Sequence, residues 1–361
     1  MIEQPPRIGA LPSGPRDAIT DVAGVTVGHC TLAEGAIQTG VTVIRPHPGD
    51  LYHDRVPAAA AVLNGFGKSI GLMQVEELGV IETPVALTNT FGVPAVAAAQ
   101  IRAALAVNPG IGRELPTVNP LVFECNDGYL NDIGRMAVTE AHYRQAHEAA
   151  DVAVPEGAVG AGRGMSCFGL KGGIGTASRQ VEAGGRDLTV GTLVLANFGR
   201  PAQLRLAGRA VGPVLAGRLE AAPATARPEK GSIILIVATD APLDARQLRR
   251  LALRAGAGLA RTGSVFGHGS GDIALAFSTA YTLPQDPGSP MPVLAMLHDA
   301  LLDPLFEAVA DGIEQAILHA LWRAEAVTGR NGHVRRSLAE VLPEILSDPA
   351  ALPSGHRQEV F

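Results

Sequence analysis

Cysteine is scarce in this 361-residue chain, and the three that occur, Cys30, Cys125 and Cys167, stand far apart. That spacing excludes a disulfide framework and a structural zinc knuckle. Aromatic residues make up only 4% of the chain, so its interior must be built from Ala, Val, Leu and Ile. Positive charge is not in excess either. Lys and Arg number 29 against 35 Asp and Glu, a formal net charge of −6, and the arginines are scattered. Phosphate backbones call for a basic patch, so nucleic acid is not an expected partner. No run of about 18 or more apolar residues stands out, and the opening MIEQPPRIGALPSGPRDAITD has no apolar core. The expectation is a soluble, cytoplasmic protein that does not engage a membrane.

Glycine is abundant instead, at 43 residues without a collagen-like period, which implies many turns and close backbone approaches. Alternating segments GVTVGHCTL (24–32) and GVTVIRPH (40–47) read as short strands divided by a polar turn. ETPVALTNT and NPLVFECNDGYLND each carry a buried strand, and GVPAVAAAQIRAALAV suits a helix packed through small residues. A helix is expected over GRMAVTEAHYRQAHEAA, with Met136, Val138, Tyr143 and Ala146 on one side. The stretch 156–179 is too rich in glycine for a regular element and reads as a long shaped loop. TVGTLVLANFG is a strong strand. AGRLEAAPATARPEKGS (216–232) has the composition of a linker, and the apolar run SIILIVATDAP after it is of strand length. DARQLRRLALRAGAGLAR is amphipathic through Leu248, Leu251, Leu253 and Leu259. The segment 302–329 is the longest helical pattern, with Leu305, Val309, Ile313, Ile317 and Leu321 in an i,i+4 ladder. Strict strand–helix alternation is missing early on, so a layered α/β (α+β) sandwich with mixed or antiparallel sheets fits better than a doubly wound parallel sheet.

The stretch GSVFGHGSGDIALAFSTAY (263–281) sets Ser270 between two glycines directly before an apolar strand. A phosphate-binding loop would need a lysine that GHGSGD lacks. A nucleophile elbow would need a different glycine spacing and a following helix. Two readings remain on the residues alone: a serine that caps a glycine-rich turn, or a nucleophile exposed by cutting the bond between Gly269 and Ser270. In the second, the Ser270 hydroxyl attacks the Gly269 carbonyl, which no side chain obstructs. Hydrolysis of the ester then frees an α-amine. Its ordinary pKa of about 7.7–8.0 suits it as general base for its own hydroxyl.

The stretches AITDVAGVTVGH, NDGYLND, GAGRGMSCFGLKGGIGTASR, LANFG, GSGDIALAFSTA and EAVTGR occur in an order that resembles the DmpA-type aminopeptidases. These are self-processing N-terminal-nucleophile enzymes of peptidase family S58, including L-aminopeptidase/D-esterase and β-aminopeptidase. The resemblance implies a four-layer αββα sandwich of the Ntn-hydrolase type, a single domain over 1–361, and cleavage into chains 1–269 and 270–361. It also implies a homo-oligomer, with a tetramer of cleaved pairs expected. Ser270 matches the nucleophile, Asn197 an oxyanion-stabilising asparagine, and Tyr129 the active-site tyrosine. Asp272 either caps a turn or orients the new amine. The residues Gly162, Gly164, Met165, Gly172 and Gly173 are expected to line a pocket. The family's late serine and glutamate are not placed in MLHDALLDPLF, and His268 stands where many relatives carry asparagine. Cys167 reads as a small buried apolar residue. His29, His47, His53, His142 and His147 form no metal-ligand pattern, so neither metal nor cofactor is expected. The implied substrates are short peptides, aminoacyl amides or esters. A specialised β-amino-acid, D-amino-acid or pantetheine-like amide is the alternative within enzymes. A non-enzymatic binding protein with an uncut loop is the alternative outside them.

Overall fold

The computed structural model describes residues 5–220 and 231–344. In chain order its long strands are Thr26–Glu34 (β1), Ile37–Arg45 (β2), Asp54–Gly65 (β3), Val85–Asn89 (β4), Leu121–Cys125 (β5), Gly173–Ala183 (β6), Arg186–Asn197 (β7), Ser232–Thr239 (β8) and Gly271–Ser278 (β9). The helices of seven or more residues are Leu72–Leu78 (α1), Val93–Val107 (α2), Glu140–Glu148 (α3), Gly212–Glu220 (α4), Ala245–Arg261 (α5) and Asp303–Trp322 (α6). One sheet has the order β1-β2-β4-β5, and the other β3-β9-β8-β7-β6, with Leu283–Pro284 beside β3. Each sheet contains one parallel pair with a helix crossing between its strands: β4 and β5 around α2, β8 and β9 around α5. All the other long-strand pairs are antiparallel.

The two sheets pack face to face. Leu87 and Phe123 of one meet Leu193, Leu195, Ile234, Ile236, Ile273 and Leu275 of the other. The intervening residues Val194, Leu235 and Ala274 point the opposite way, onto Leu248 and Leu251 of α5 and Val309 and Ile313 of α6. Burial on both faces explains why SIILIVAT is apolar without alternation. On the far side of the first sheet, Val41, Val43 and Ala86 pack on Val96, Tyr143 and Ala146 of α2 and α3. The layers run helix, sheet, sheet, helix, as the αββα expectation requires.

Several local expectations change. The first hairpin turns in two residues, Gly35 and Ala36, because Ala33 pairs with Gln38 and Glu34 with Ile37; the strands run into what reads as a polar turn. The helix over 134–150 shrinks to α3, since Met136 sits at φ 48 and is exposed. The glycine-rich stretch does not stay a loop: β6 starts at Gly173. There glycine lets neighbouring backbone approach, and a Cβ on Gly175 would stand 1.9 Å from the Ala316 carbonyl oxygen of α6. Leu253 lies on the outer side of α5. Of the expected linker, residues 216–220 are helical and 221–230 lie outside the described residues. Thr90–Val107 is as long and apolar as a membrane span, correcting the reading that no such run occurs; Val93, Val96 and Ala99 build its inner side into the protein.

Candidate active site

Ser270 immediately precedes β9, at the end of a tight turn. Its N–H donates to the Gly267 carbonyl at 2.8 Å, closing the turn over His268 and Gly269. The side-chain amide of Asn64, at the end of β3, donates to both the Gly267 and the Ser270 carbonyls, and Phe66 N–H donates to the latter at 3.2 Å. Among the described residues no protein group donates to the Gly269 carbonyl. A bulge where Asp272 and Ile273 meet Asn64 and Val62 turns this corner of the sheet. Residues 264–268 are partly or fully exposed, whereas Gly269 and Ser270 are buried.

The Ser270 hydroxyl donates to Asp272 Oδ1 at 2.5 Å. Asp272 is buried, which pushes its pKa up to about 6 against the opposing pull of that hydrogen bond. Its Oδ2 is buried without a partner. Asp272 thus touches the Ser270 hydroxyl itself rather than only capping a turn. MLHDALLDPLF supplies none of the hydrogen bonds to Ser270. His268 is exposed and lies against Phe66, with ring centroids 6.2 Å apart.

Asn197 ends β7. Its Oδ1 accepts from Ser166 N–H at 2.8 Å, and its Nδ2 donates to the Asn126 carbonyl at 2.9 Å, leaving one amide hydrogen uncommitted. In the β7–β8 register Asn197 stands opposite Ser232, whose hydroxyl accepts from Gly271 N–H at 3.1 Å, so one serine links the strand of Asn197 to the start of β9 beside Ser270. Asn197 and Tyr129 share a cavity of about 20 Å³ with Asn126, Ser166, Gly231 and Arg335. Ser270 is not in its lining. Nor are Gly162, Gly164, Met165, Gly172 or Gly173; the glycines are buried against neighbouring backbone and Met165 lies in the core between the sheets. A Cβ on Gly164 would stand 2.2 Å from the Gln38 carbonyl oxygen, and one on Gly172 2.3 Å from that of Ala196.

Lys171 fills the middle of that glycine loop. Fully buried, its ammonium donates to the carbonyls of Gly162 and Met165 at 2.8 Å and of Gly172 at 2.7 Å. Burial pulls its pKa well below that of a free lysine. The loop so tied presents Ser166 N–H to Asn197 and Phe168 N–H to the Phe198 carbonyl.

Tyr129 is buried, stacked on His333 with centroids 4.7 Å apart, and the guanidinium carbon of Arg335 lies 3.4 Å from its ring centroid. The stretches NDGYLND and EAVTGR meet here: Arg330 N–H donates to the Leu130 carbonyl at 2.7 Å, and Arg330 Nε to that of Gly128 at 2.5 Å. Glu124, five residues before Tyr129, is a buried carboxylate that accepts from Lys68 N–H at 2.7 Å and from the Thr90 hydroxyl. Its Oε1 and the Gly271 Cα both come within 3.8 Å of where a Cβ on Gly67 would sit, which places it close to the start of β9. Asn64, Glu124, Lys171 and Arg335 were not legible as site residues. Each is an ordinary polar residue at a strand end or in a loop, and only the sheet register and the packing of distant loops bring them here.

Cys167 is buried, and burial raises its thiol pKa, as befits a packing residue. His29, hydrogen-bonded to Thr42 at 2.9 Å, has its pKa pulled down to about 4 by burial. Among the described residues no three His, Cys, Asp or Glu side chains are grouped to hold a metal ion. A larger cleft of about 530 Å³, bordered by Asp17, Glu156, Thr176 and His319, contains none of the residues singled out from the sequence.

Residues 17–335 match the sequence profile of peptidase family S58. The chain is 40% identical over 346 residues to the β-peptidyl aminopeptidase BapA of Sphingosinicella microcystinivorans, covering 90% of this chain and 86% of that one. Among solved structures, the PH0078 protein of Pyrococcus horikoshii OT3 superposes with a TM-score of 0.87 at 46% identity, covering 94% of this chain and 96% of the other. The L-aminopeptidase D-Ala-esterase/amidase of Ochrobactrum anthropi, a prototype for the serine aminopeptidases and a variant of the Ntn hydrolase fold, superposes with a TM-score of 0.87 at 36% identity, covering 97% and 98%.

Proposed function

The chain belongs to peptidase family S58 and is a serine aminopeptidase with the Ntn hydrolase fold; we propose that it matures by cutting itself between Gly269 and Ser270. The observation that carries this reading is the hydroxyl of Ser270, held on the Asp272 carboxylate one residue after an unobstructed glycine carbonyl. Asp272 takes the hydroxyl proton as Oγ bonds to the Gly269 carbonyl carbon. The Gly269–Ser270 C–N bond then breaks, the nitrogen leaves as the α-amine with a proton, and an ester joins Gly269 to Oγ. Water cleaves that ester to the Gly269 carboxylate and a free hydroxyl.

In the matured enzyme the α-amine is the base for the hydroxyl beside it, and Asp272 Oδ2, buried without a partner, accepts from that amine. Oγ attacks the substrate's carbonyl carbon, and the oxyanion forms against the second Nδ2 hydrogen of Asn197. Losing such a donor typically costs about 3–4 kcal/mol of transition-state stabilisation. The amine proton passes to the leaving nitrogen, the C–N bond breaks, and water releases the acyl group by the reverse sequence. Tyr129, across the cavity from Asn197, borders the substrate. We take the substrates to be short peptides and aminoacyl amides or esters, and the working form to be a homo-oligomer of cleaved chains. Because a relative at 40% identity carries the name β-peptidyl aminopeptidase, β-aminoacyl substrates stand beside L- and D-aminoacyl ones.

A panel of L-, D- and β-aminoacyl p-nitroanilides tests the activity. Release of p-nitroaniline from at least one, and not from its N-acetylated form, is the expected result. Equal cleavage of the acetylated form removes the aminopeptidase reading.

A further inference from the structure

Arg335, which lines the cavity with Asn197 and Tyr129, is a cation that the mechanism leaves unused. It is 8% exposed, and among the described residues no acidic side chain pairs with it. Nε donates to the Ser166 hydroxyl at 3.0 Å, and the guanidinium carbon lies 3.4 Å from the Tyr129 ring centroid, but Nη2 is buried with no hydrogen-bond partner. The cavity of about 20 Å³ that it lines with Tyr129 and Asn197 has room for one small polar group. A buried guanidinium that lacks an anion and leaves a donor unmade is an incomplete arrangement, and burying a charge is costly unless it is paired. An anion entering from the cavity completes it.

We propose that Arg335 is a specificity residue that receives the carboxylate of the leaving amino acid, so that free dipeptides are the preferred class of substrate. The inference rests on reading the site as that of an aminopeptidase. Such a substrate has an ammonium group on the acyl side, which a guanidinium repels, so the part lying against Arg335 belongs to the leaving side. Asn197, in the same cavity, marks where the oxyanion forms. In a dipeptide the carboxylate follows the scissile nitrogen by a single Cα, within one residue's reach of that point. In a longer peptide the group there is a neutral amide. A planar fork of donors suits a carboxylate, which it binds through parallel charge-assisted hydrogen bonds.

The test fixes the N-terminal residue at the best one in the p-nitroanilide panel and compares that residue joined to alanine and to alaninamide. The scissile bond is then the same and only the carboxylate differs. The wild-type enzyme is expected to favour the free dipeptide in kcat/KM. In Arg335→Met the dipeptide-to-amide ratio should fall roughly ten- to a hundredfold, the worth of a hydrogen bond to a charged group, and Arg335→Lys should recover part of it. A cation that only props Tyr129 or faces the oxyanion lowers both substrates together, so an unchanged ratio overturns the proposal. Should Arg335→Met fail to fold, inhibition of the wild-type enzyme decides. Alanine inhibiting at least tenfold more strongly than alaninamide supports the proposal, and equal inhibition overturns it. An enzyme that cleaves the amide as well as the dipeptide, or neither of them, overturns this inference alone, whereas equal cleavage of the N-acetylated p-nitroanilide removes the aminopeptidase reading with it.

Discussion

Two glycine-rich stretches meet near the site, and they use glycine for opposite ends. In residues 160–175 the missing side chains let backbone pack on backbone around the Lys171 ammonium, whose three donors are all filled by carbonyls. In residues 264–270 the chain is held at a few points, Gly267 has no atom within 4 Å of where a Cβ would be, and the Gly269 carbonyl is left open to the hydroxyl that follows it. One stretch is scaffold, fixing Ser166 and through it Asn197. The other carries the bond proposed to be cut. Composition alone cannot separate them, because the difference lies in what surrounds each glycine.

The comparison breaks most sharply at the serine. Ser270→Ala should abolish both self-cleavage and hydrolysis, with a single full-length band on a denaturing gel and activity at background; normal activity would end the account. Asp272→Asn should slow self-cleavage by roughly 10²–10⁴-fold, the usual worth of a positioned proton acceptor. In the wild-type precursor the carboxylate is protonated below its raised pKa of about 6. Cleavage of freshly denatured and refolded chain should therefore speed up as pH rises through 6 and level off above it, and a flat profile from pH 4.5 to 8 removes Asp272 as the acceptor.

Changes to the scaffold should act on stability first. Lys171→Met leaves the Gly172 carbonyl without its donor and takes one of two donors from the carbonyls of Gly162 and Met165, and should cost about 2–3 kcal/mol in denaturant unfolding, while self-cleavage in whatever protein still folds persists. The smallest effects separate the two glycine stretches directly. Gly172→Ala forces a Cβ to 2.3 Å from a backbone oxygen and should cost about 1–3 kcal/mol. Gly267→Ala meets nothing and should stay within about 0.5 kcal/mol. Equal costs at both positions would erase the distinction.

Much of the layer order was legible in the chain. The i,i+4 ladder of α6, the amphipathic α5 and the unbroken apolar run of β8 each follow from period and burial. Boundaries failed where glycine decided them. Gly173–Ala183 reads as loop from its first residues, yet forms an edge strand because α6 packs closely on it. Ser270, Asn197 and Tyr129 could be singled out through a family resemblance, but their neighbours could not. Asn64 reaches the turn only by pairing of β3 with β9, and Arg335 reaches Tyr129 only because EAVTGR folds onto NDGYLND. Such contacts join residues about two hundred positions apart, and no local period encodes them.

The most direct test is the intact mass of the purified, active protein, with sequencing of any new N-terminus. The account predicts two chains that stay together, the second beginning Ser270-Gly271-Asp272. An active enzyme whose mass is that of one continuous chain through Gly269 and Ser270 contradicts it.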